Sequence, residues 1–211
     1  MGTATSKLRE EANKKVDEDK QKALNKIEFL ENVLKAKIES YKEEIITKKE
    51  GDKRIFGDNE VDYQNKITIN ISTEVSKEID SAVDSFFDGD FKDGFKSLVK
   101  SSLNEAIGNT GVGENINKVY HIGFENNSII RYDLFTYRFN FYSKGIVEDV
   151  ENIFCYQFIK SVVDHKKVNI DTMIYLLTKY VKGTEKDPQK QLELVSNYVS
   201  KLKEIYKDLE N

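Results

Sequence analysis

This chain of 211 residues contains few of the residues from which recognisable sites are usually built: one cysteine, two histidines, one proline and no tryptophan. The single cysteine, Cys155, excludes an intrachain disulfide framework and is typical of a reducing compartment. It is not closely spaced with His121 or His165, and a zinc site needs about four such ligands. The sequence therefore predicts no metal site, and no motif in it indicates a cofactor.

Long hydrophobic runs and a surplus of positive charge are also absent. The longest apolar run, residues 153–159, is interrupted by Gln157, whereas a membrane span requires about 20 residues. No segment of signal-peptide type begins the chain. The net charge is −4, and nucleic-acid binding needs an excess of cations to displace phosphate counterions. We expect a cytoplasmic protein, or one secreted by a leaderless route, that does not bind nucleic acid.

What the chain does have is an apolar stripe near its start that steps by four, four and three positions. Eleven residues over three turns give a period of about 3.67, close to that of a straight α-helix. No glycine or proline falls between Thr3 and Glu50, and Gly51 is placed to end a helix. We predict one helix over residues 5–50, about 70 Å long, which a domain of this size cannot cover along its whole length. The stripe consists of Leu8, Ala12, Val16, Asp19, Ala23, Ile27, Leu30, Leu34, Ile38, Tyr41 and Ile45.

The rest of the chain has the pattern of an α+β domain. Alternating isoleucines predict a strand over residues 66–72, and alternation on both sides of Asn126-Asn127 predicts a hairpin over 118–143. We expect these strands to form a small antiparallel β-sheet packed with four or five α-helices. The predicted domains are a coiled-coil-like helical arm over 1–50, a linker over 51–65 and the α+β globular domain over 66–211.

Two details of this pattern lead to sharper predictions. The alternation of apolar residues changes phase between Leu134 and Phe135, which predicts a β-bulge or a bend in that strand. Residues 145–163 are apolar at helical spacing and also between those positions, which predicts a central helix.

Further helices are predicted near residues 73–86, 90–108 and 169–182, and after Asp187-Pro188. The last of these has a three-four heptad stripe, and we expect it to pack against the N-terminal helix.

One set of residues could be interpreted as a catalytic group. Cys155, Asp164 and His165 would act as nucleophile, orienting carboxylate and base, but Cys155 lies among aromatic residues, where burial raises the pKa of a thiol. Arg131 and Asp133 are two apart on a strand and share a face, and we expect them to form a surface ion pair. The sequence thus predicts no catalytic residues.

Two further motifs are better explained by local structure than by ligand binding. The glycine-rich segment 108–115 follows a helix and precedes a strand, which is the reverse of a phosphate-binding loop. A crowded acidic turn lacks the residue order and the distal glutamate of an EF-hand, so helix capping explains it better than calcium binding. The acidic residues are Asp84, Asp88, Asp90 and Asp93.

These observations lead to two hypotheses about function. The first is a non-enzymatic interaction or assembly protein, a homo-oligomer or the partner of another protein, that docks through its long helix. Its interaction residues would be Ile27, Leu30, Leu34, Ile38, Tyr41 and Ile45. The alternative is a membrane-active protein resembling soluble pore-forming toxins, whose aromatic tip enters a membrane surface. The tip residues would be Phe86, Phe87, Phe91 and Phe95, which otherwise serve as core anchors.

Overall fold

The computed structural model describes residues 4–14, 17–46, 59–71, 73–87, 93–125, 128–142 and 150–207. Its long N-terminal helix, four-stranded antiparallel sheet and several further helices confirm the predicted α+β fold. In chain order the elements are α1 (Ala4–Ala12), α2 (Asp17–Ile46), β1 (Asn59–Ile69), α3 (Thr73–Phe86), α4 (Asp93–Gly108), β2 (Gly113–Glu125), β3 (Ser128–Asn140), β4 (Asn152–Val162), a 3-10 turn (His165–Lys167), α5 (Ile170–Thr184) and α6 (Pro188–Lys207).

The sheet has the strand order β1-β4-β3-β2, and every neighbouring pair is antiparallel. β3 and β4 are therefore central, and β1 and β2 are the edges. Because successive side chains of a strand point to opposite faces, odd-numbered residues of β3 and β4 lie on one face and even-numbered residues on the other. Both strands are buried along almost their whole length, because helices cover both faces.

Helix α2 covers one face, which we call the α2 face. Its apolar side chains pack on the odd-numbered residues of β3 and β4, including Phe135, Tyr137, Ile153 and Cys155. The opposite face, which we call the aromatic face, is covered by α3 and α4 and carries mainly rings. Its cluster contains Phe86, Phe87, Val99, Leu103, Tyr132, Leu134, Phe154, Tyr156 and Phe158.

A third cluster lies at one end of the sheet, where α5 and α6 pack together. It joins Met173, Leu177 and Leu202 of these helices to Ile122 and Ile129 of the sheet. The helices predicted over residues 169–182 and after Asp187-Pro188 are confirmed. The Asn169 side chain accepts a hydrogen bond from the Asp171 backbone amide, and α6 begins at Pro188, directly after Asp187. Leu202 and Tyr206 of the α6 stripe pack in this cluster, whereas Leu192 is exposed. Helix α6 packs on α5, so its expected packing along α2 is wrong.

The predicted central helix over 145–163 is wrong, because residues 152–162 form the central strand β4. A strand buried on both faces needs apolar residues at nearly every position. Such a run also satisfies helical spacing, so its periodicity cannot separate the two structures. Residues 143–149 lie outside the described residues.

The predicted bulge between Leu134 and Phe135 is also wrong. β3 pairs with β2 and with β4 in one continuous register. The two side chains point to different faces, and both faces are buried, so the change of phase in the sequence needs no extra residue. A register shift does occur elsewhere, in β1 between Glu60 and Asp62.

The single helix predicted over residues 5–50 is divided into α1 and α2. Arg9 donates to both carboxylate oxygens of Glu31, at 2.7 and 2.8 Å, although a continuous helix would separate these residues by about 33 Å. The chain therefore folds back after α1. The fold-back buries Ala12, and α2 alone is about 45 Å long.

Candidate interaction surface

The six predicted interaction residues of α2 all lie between the helix and the sheet of the same chain. Ile27, Leu30, Leu34, Ile38, Tyr41 and Ile45 are buried in the cluster of the α2 face. Leu34 is fully buried, and its carbonyl oxygen lies 4.0 Å from the Cys155 sulfur. The contacts of the stripe are thus made within the chain.

Charged side chains on the two flanks of α2 hold the helix to both edge strands. On the β2 side, Lys37 pairs with Glu114 at 2.7 Å, and Glu44 accepts a hydrogen bond from Lys118. The hydrogen bond from Lys37 lowers the pKa of Glu114.

On the β1 side, Lys42 pairs with Glu60 at 3.0 Å and lies 4.6 Å from the centre of the Tyr63 ring. The hydrogen bond to Glu60 is the main cause of a raised Lys42 pKa. Such exposed pairs contribute little individually, but on both flanks they fix the orientation of α2 across the sheet.

Beneath α2 the sheet contains an enclosed ion pair. Arg131 donates to the Asp133 carboxylate at 2.6 and 2.8 Å, and their side chains are only 5% and 0% exposed. The predicted pairing is therefore confirmed, but its predicted surface location is wrong. Tyr41 stacks on Phe135 with 4.5 Å between ring centres, and its hydroxyl lies 3.5 Å from Asp133. Burial is the main cause of a raised Tyr41 pKa, with the Asp133 charge second.

The aromatic face contains the two described members of the predicted membrane tip. Phe86 and Phe87 are buried, and each ring lies 5.3 Å from that of Phe158. They serve as core anchors of α3. Phe91 and the side chain of Phe95 lie outside the described residues.

A second polar group borders the aromatic face. Lys160 lies 3.0 Å from the Glu125 carboxylate, which also accepts a 2.8 Å hydrogen bond from the Tyr132 hydroxyl. Nearby, burial lowers the pKa of His121 to about 3, so this imidazole is uncharged at neutral pH. Lys160 and Tyr132 thus share Glu125 as their partner within the chain.

The catalytic interpretation of Cys155, Asp164 and His165 gains nothing from the geometry. Burial beneath α2 raises the pKa of Cys155 to about 12, so its thiol is protonated and unreactive at neutral pH. Seven residues of extended strand, about 23 Å, separate Cys155 from Val162 at the end of β4. Asp164 lies beyond that end and pairs with Lys167 at 3.1 Å. The His165 side chain lies outside the described residues.

The other two motifs also have local structural partners. Asp84 of the acidic turn pairs with Lys100 at 3.0 Å, while Asp88 and Asp90 lie outside the described residues. No group of three or more His, Cys, Asp or Glu side chains in the described part of the chain is arranged to hold a metal.

The glycine-rich segment is held by two side chains of β3. Arg138 donates to the carbonyl oxygen of Ile107 near the end of α4, and Asn140 donates to those of Asn109 and Gly111 at 3.0 and 2.6 Å. These bonds satisfy carbonyls that a helix end leaves without partners. The loop therefore fixes the junction between α4 and β2.

Among the described residues, exposed apolar side chains form a row along β2 and the residue before it. Val112, Ile116 and Tyr120 are 63%, 45% and 41% exposed, and they alternate with the charged residues Glu114 and Lys118. Among the described strands, only β3 is hydrogen-bonded to β2, and it lies on one side. We call residues 112–120 the β2 edge. Sequence reasoning missed it, because the predicted hairpin begins at residue 118, after Ile116, whereas β2 begins at Gly113. Local pattern also does not show which strand lies at an edge of the sheet.

No family model matches this chain, and neither the curated proteins nor the solved structures contain a match to it. Among the described helices, none is long and apolar enough to cross a membrane. Any functional conclusion therefore has to be drawn from the geometry of the chain itself.

Proposed function

We propose that this protein is a non-enzymatic interaction protein that assembles with another polypeptide, and that the β2 edge together with the adjoining flank of α2 is its contact surface. One observation carries the proposal: apolar side chains at four-residue spacing are exposed along a strand whose second side is not paired with any strand of the described residues. An open edge presents unpaired backbone amides and carbonyls to which an added strand can bond. Alternating side chains then determine which partner fits.

The long helix contributes to this surface through its flank. Lys37 and Glu44 of α2 lie beside Glu114 and Lys118 of β2, so helix and strand present one continuous row of charges. Assembly through the buried stripe itself would require α2 to leave its sheet and expose Cys155. Alkylation of Cys155 in the native protein tests whether the protein assembles through the buried stripe, because only detachment of α2 allows rapid modification of this thiol.

The membrane-active alternative has no comparable support. Phe86 and Phe87 would have to leave a cluster in which they contact Phe158. It stays a prediction, and dye release from anionic, zwitterionic and sterol-containing vesicles tests it.

Site-specific photo-crosslinking tests the proposed surface. Benzoylphenylalanine is introduced at position 116 or 120, and at positions 175 and 192 as controls, because Tyr175 and Leu192 are equally or more exposed on α5 and α6. The full chain is irradiated in cells of its own source. We expect a discrete polypeptide adduct from 116 and 120, formed with another copy or with a different protein. Absence of adducts from these positions, or equal labelling from the controls, would contradict the proposal.

A further inference from the structure

We infer that the β2 edge pairs with the β2 edge of a second copy of this chain, in antiparallel orientation about a two-fold axis at Ile116. The inference rests on the proposed function and specifies its partner. The complementarity of the strand with itself is the observation that carries it.

The two edges of the sheet differ in their protection against such pairing. β1 is interrupted by a register shift between Glu60 and Asp62, and such irregularities are a common way to block an edge. β2 pairs with β3 over 13 residues without a shift. The only proline of the chain is Pro188, so no proline blocks β2 either. Of the two edge strands, β2 is therefore the less protected against pairing with another strand.

Charge complementarity selects the register. With the axis at Ile116, each Glu114 lies directly opposite Lys118 of the second copy, and the two Ile116 side chains face each other. Opposite charges and apolar residues in directly facing positions stabilise an antiparallel pair. Val112 and Tyr120 then lie opposite each other at the ends of the paired segment, so that apolar residues also meet there.

Neighbouring registers lack this match. An axis at Glu114 or at Lys118 would place two like charges opposite each other, which is destabilising. An axis at Asn115 or Asn117 would place Ile116 opposite a charged residue. Only the axis at Ile116 satisfies the charged and the apolar positions together.

Both faces of the extended sheet support the same register. On the α2 face, Lys37 and Glu44 already contact Glu114 and Lys118, so pairing creates a row of alternating charges from one helix, across the two strands, to the other helix. On the aromatic face, half-buried Asn115 would lie opposite Asn117, and two amide side chains can exchange hydrogen bonds. The symmetry is that of an isologous dimer.

Engineered disulfides test both the partner and the register. In the Ile116→Cys variant the two new thiols would face each other at the axis, within the reach of a disulfide for either kind of antiparallel pair. Under mild oxidation we expect a covalent dimer of twice the 24.4 kDa chain mass, formed about tenfold faster or more than by Tyr175→Cys, whose exposed thiol reports random collisions. The wild-type chain is a second control, because its only cysteine is buried.

Cysteines placed away from the two-fold axis test the register of the two β2 strands. In Lys118→Cys alone, the two thiols would be four residues apart along the strands, about 13 Å, which is too far for a disulfide. A mixture of Glu114→Cys and Lys118→Cys should form the mixed dimer instead. Crosslinking of Ile116→Cys no faster than Tyr175→Cys, or of Lys118→Cys as fast as Ile116→Cys, overturns the inference.

A non-covalent measurement separates dimerisation from folding. Ile116→Lys places two cations at the axis, so sedimentation velocity should show loss of the concentration-dependent dimer of the wild-type chain. The melting temperature of the variant should equal that of the wild-type chain at concentrations where the latter is monomeric. A dimer that persists in this variant also overturns the inference. Photo-adducts at position 116 with a different protein, combined with a monomeric wild-type chain, would refute self-pairing while leaving the proposed function in place. Absence of any adduct would refute both.

Discussion

The two faces of the sheet are covered in different ways. The aromatic face is filled by rings from α3, β3 and β4, and its ion pair between Lys160 and Glu125 lies near the margin, with Glu125 33% exposed. The α2 face is covered by α2, with α1 packed beside it, and encloses the Arg131–Asp133 pair. A fully enclosed ion pair adds little net stability but is costly to disrupt. The difference shows that the α2 face relies on matched polar positions as well as on burial of apolar surface.

The largest effect is expected from breaking the enclosed ion pair. Asp133→Ala leaves Arg131 buried without its carboxylate, and such a change costs about 3–5 kcal/mol. Glu125→Ala, which removes the more exposed partner of Lys160, should cost less than half as much. Chemical denaturation of both variants measures the two losses. Equal losses of unfolding free energy would show that removal of one partner of an ion pair costs the same on both faces.

Two cavity variants, one on each face of the sheet, distinguish local opening of α2 from unfolding of the whole chain. Leu34 of α2 and Leu103 of α4 are both fully buried, so Leu34→Ala and Leu103→Ala should each lower the free energy of unfolding by about 2–5 kcal/mol. Only the first loosens the helix that covers Cys155.

Alkylation of Cys155 under native conditions provides the measurement for this pair. At equal loss of global stability, Leu34→Ala should react faster than Leu103→Ala, because opening of α2 alone suffices to expose the thiol. Equal rates would mean that α2 and the sheet open only together.

Low pH should lower the stability of the fold partly through His121 on the aromatic face. His121 has a pKa of about 3 when folded, against 6.5 ordinarily. Between these values the unfolded chain binds the additional proton, so stability falls as the pH drops from 6.5 towards 3, by up to about 1.4 kcal/mol per pH unit. His121→Gln should remove this part of the slope. Denaturation curves at several pH values measure it, and an unchanged slope would show that His121 accepts a proton within the fold.

The smallest effect is expected at the flank of α2. Lys42→Ala removes the pair with Glu60 and the contact with the Tyr63 ring. Partly exposed pairs of this kind contribute about 0–1 kcal/mol, so the melting temperature should change little. A loss as large as that of Leu34→Ala would mean that the flanking charges, not the buried stripe, hold α2 to the sheet.

Much of the fold could be predicted from local pattern. The stripe from Ile27 to Ile45 identifies the buried side of α2, and alternation around Asn126-Asn127 identifies the hairpin of β2 and β3. Asn169 and Asp187 mark the starts of α5 and α6, because capping depends on the residues at the helix end. These features could be predicted from the sequence because residues close together in the chain determine them.

The candidate interaction surface could not be predicted from the sequence in the same way. Ile116 and Tyr120 lie on the same face of β2 as Lys118, because these residues are two positions apart. Their exposure depends on β2 lying at the edge, and that position follows from insertion of β4 between β1 and β3. Since residues 152–162 also fit a helix, the strand order could not be deduced from periodicity.

Local sequence pattern indicates which side of each amphipathic element is apolar, where the capped helices begin, and that α2 needs a partner surface. The three-dimensional contacts show that this partner is the chain's own sheet, that Arg131 and Asp133 are enclosed, and that no described strand pairs with the outer side of β2. The physical reason is that apolar periodicity records how much of an element is buried. The surface that buries it depends on contacts between residues far apart in the chain, which no local pattern records.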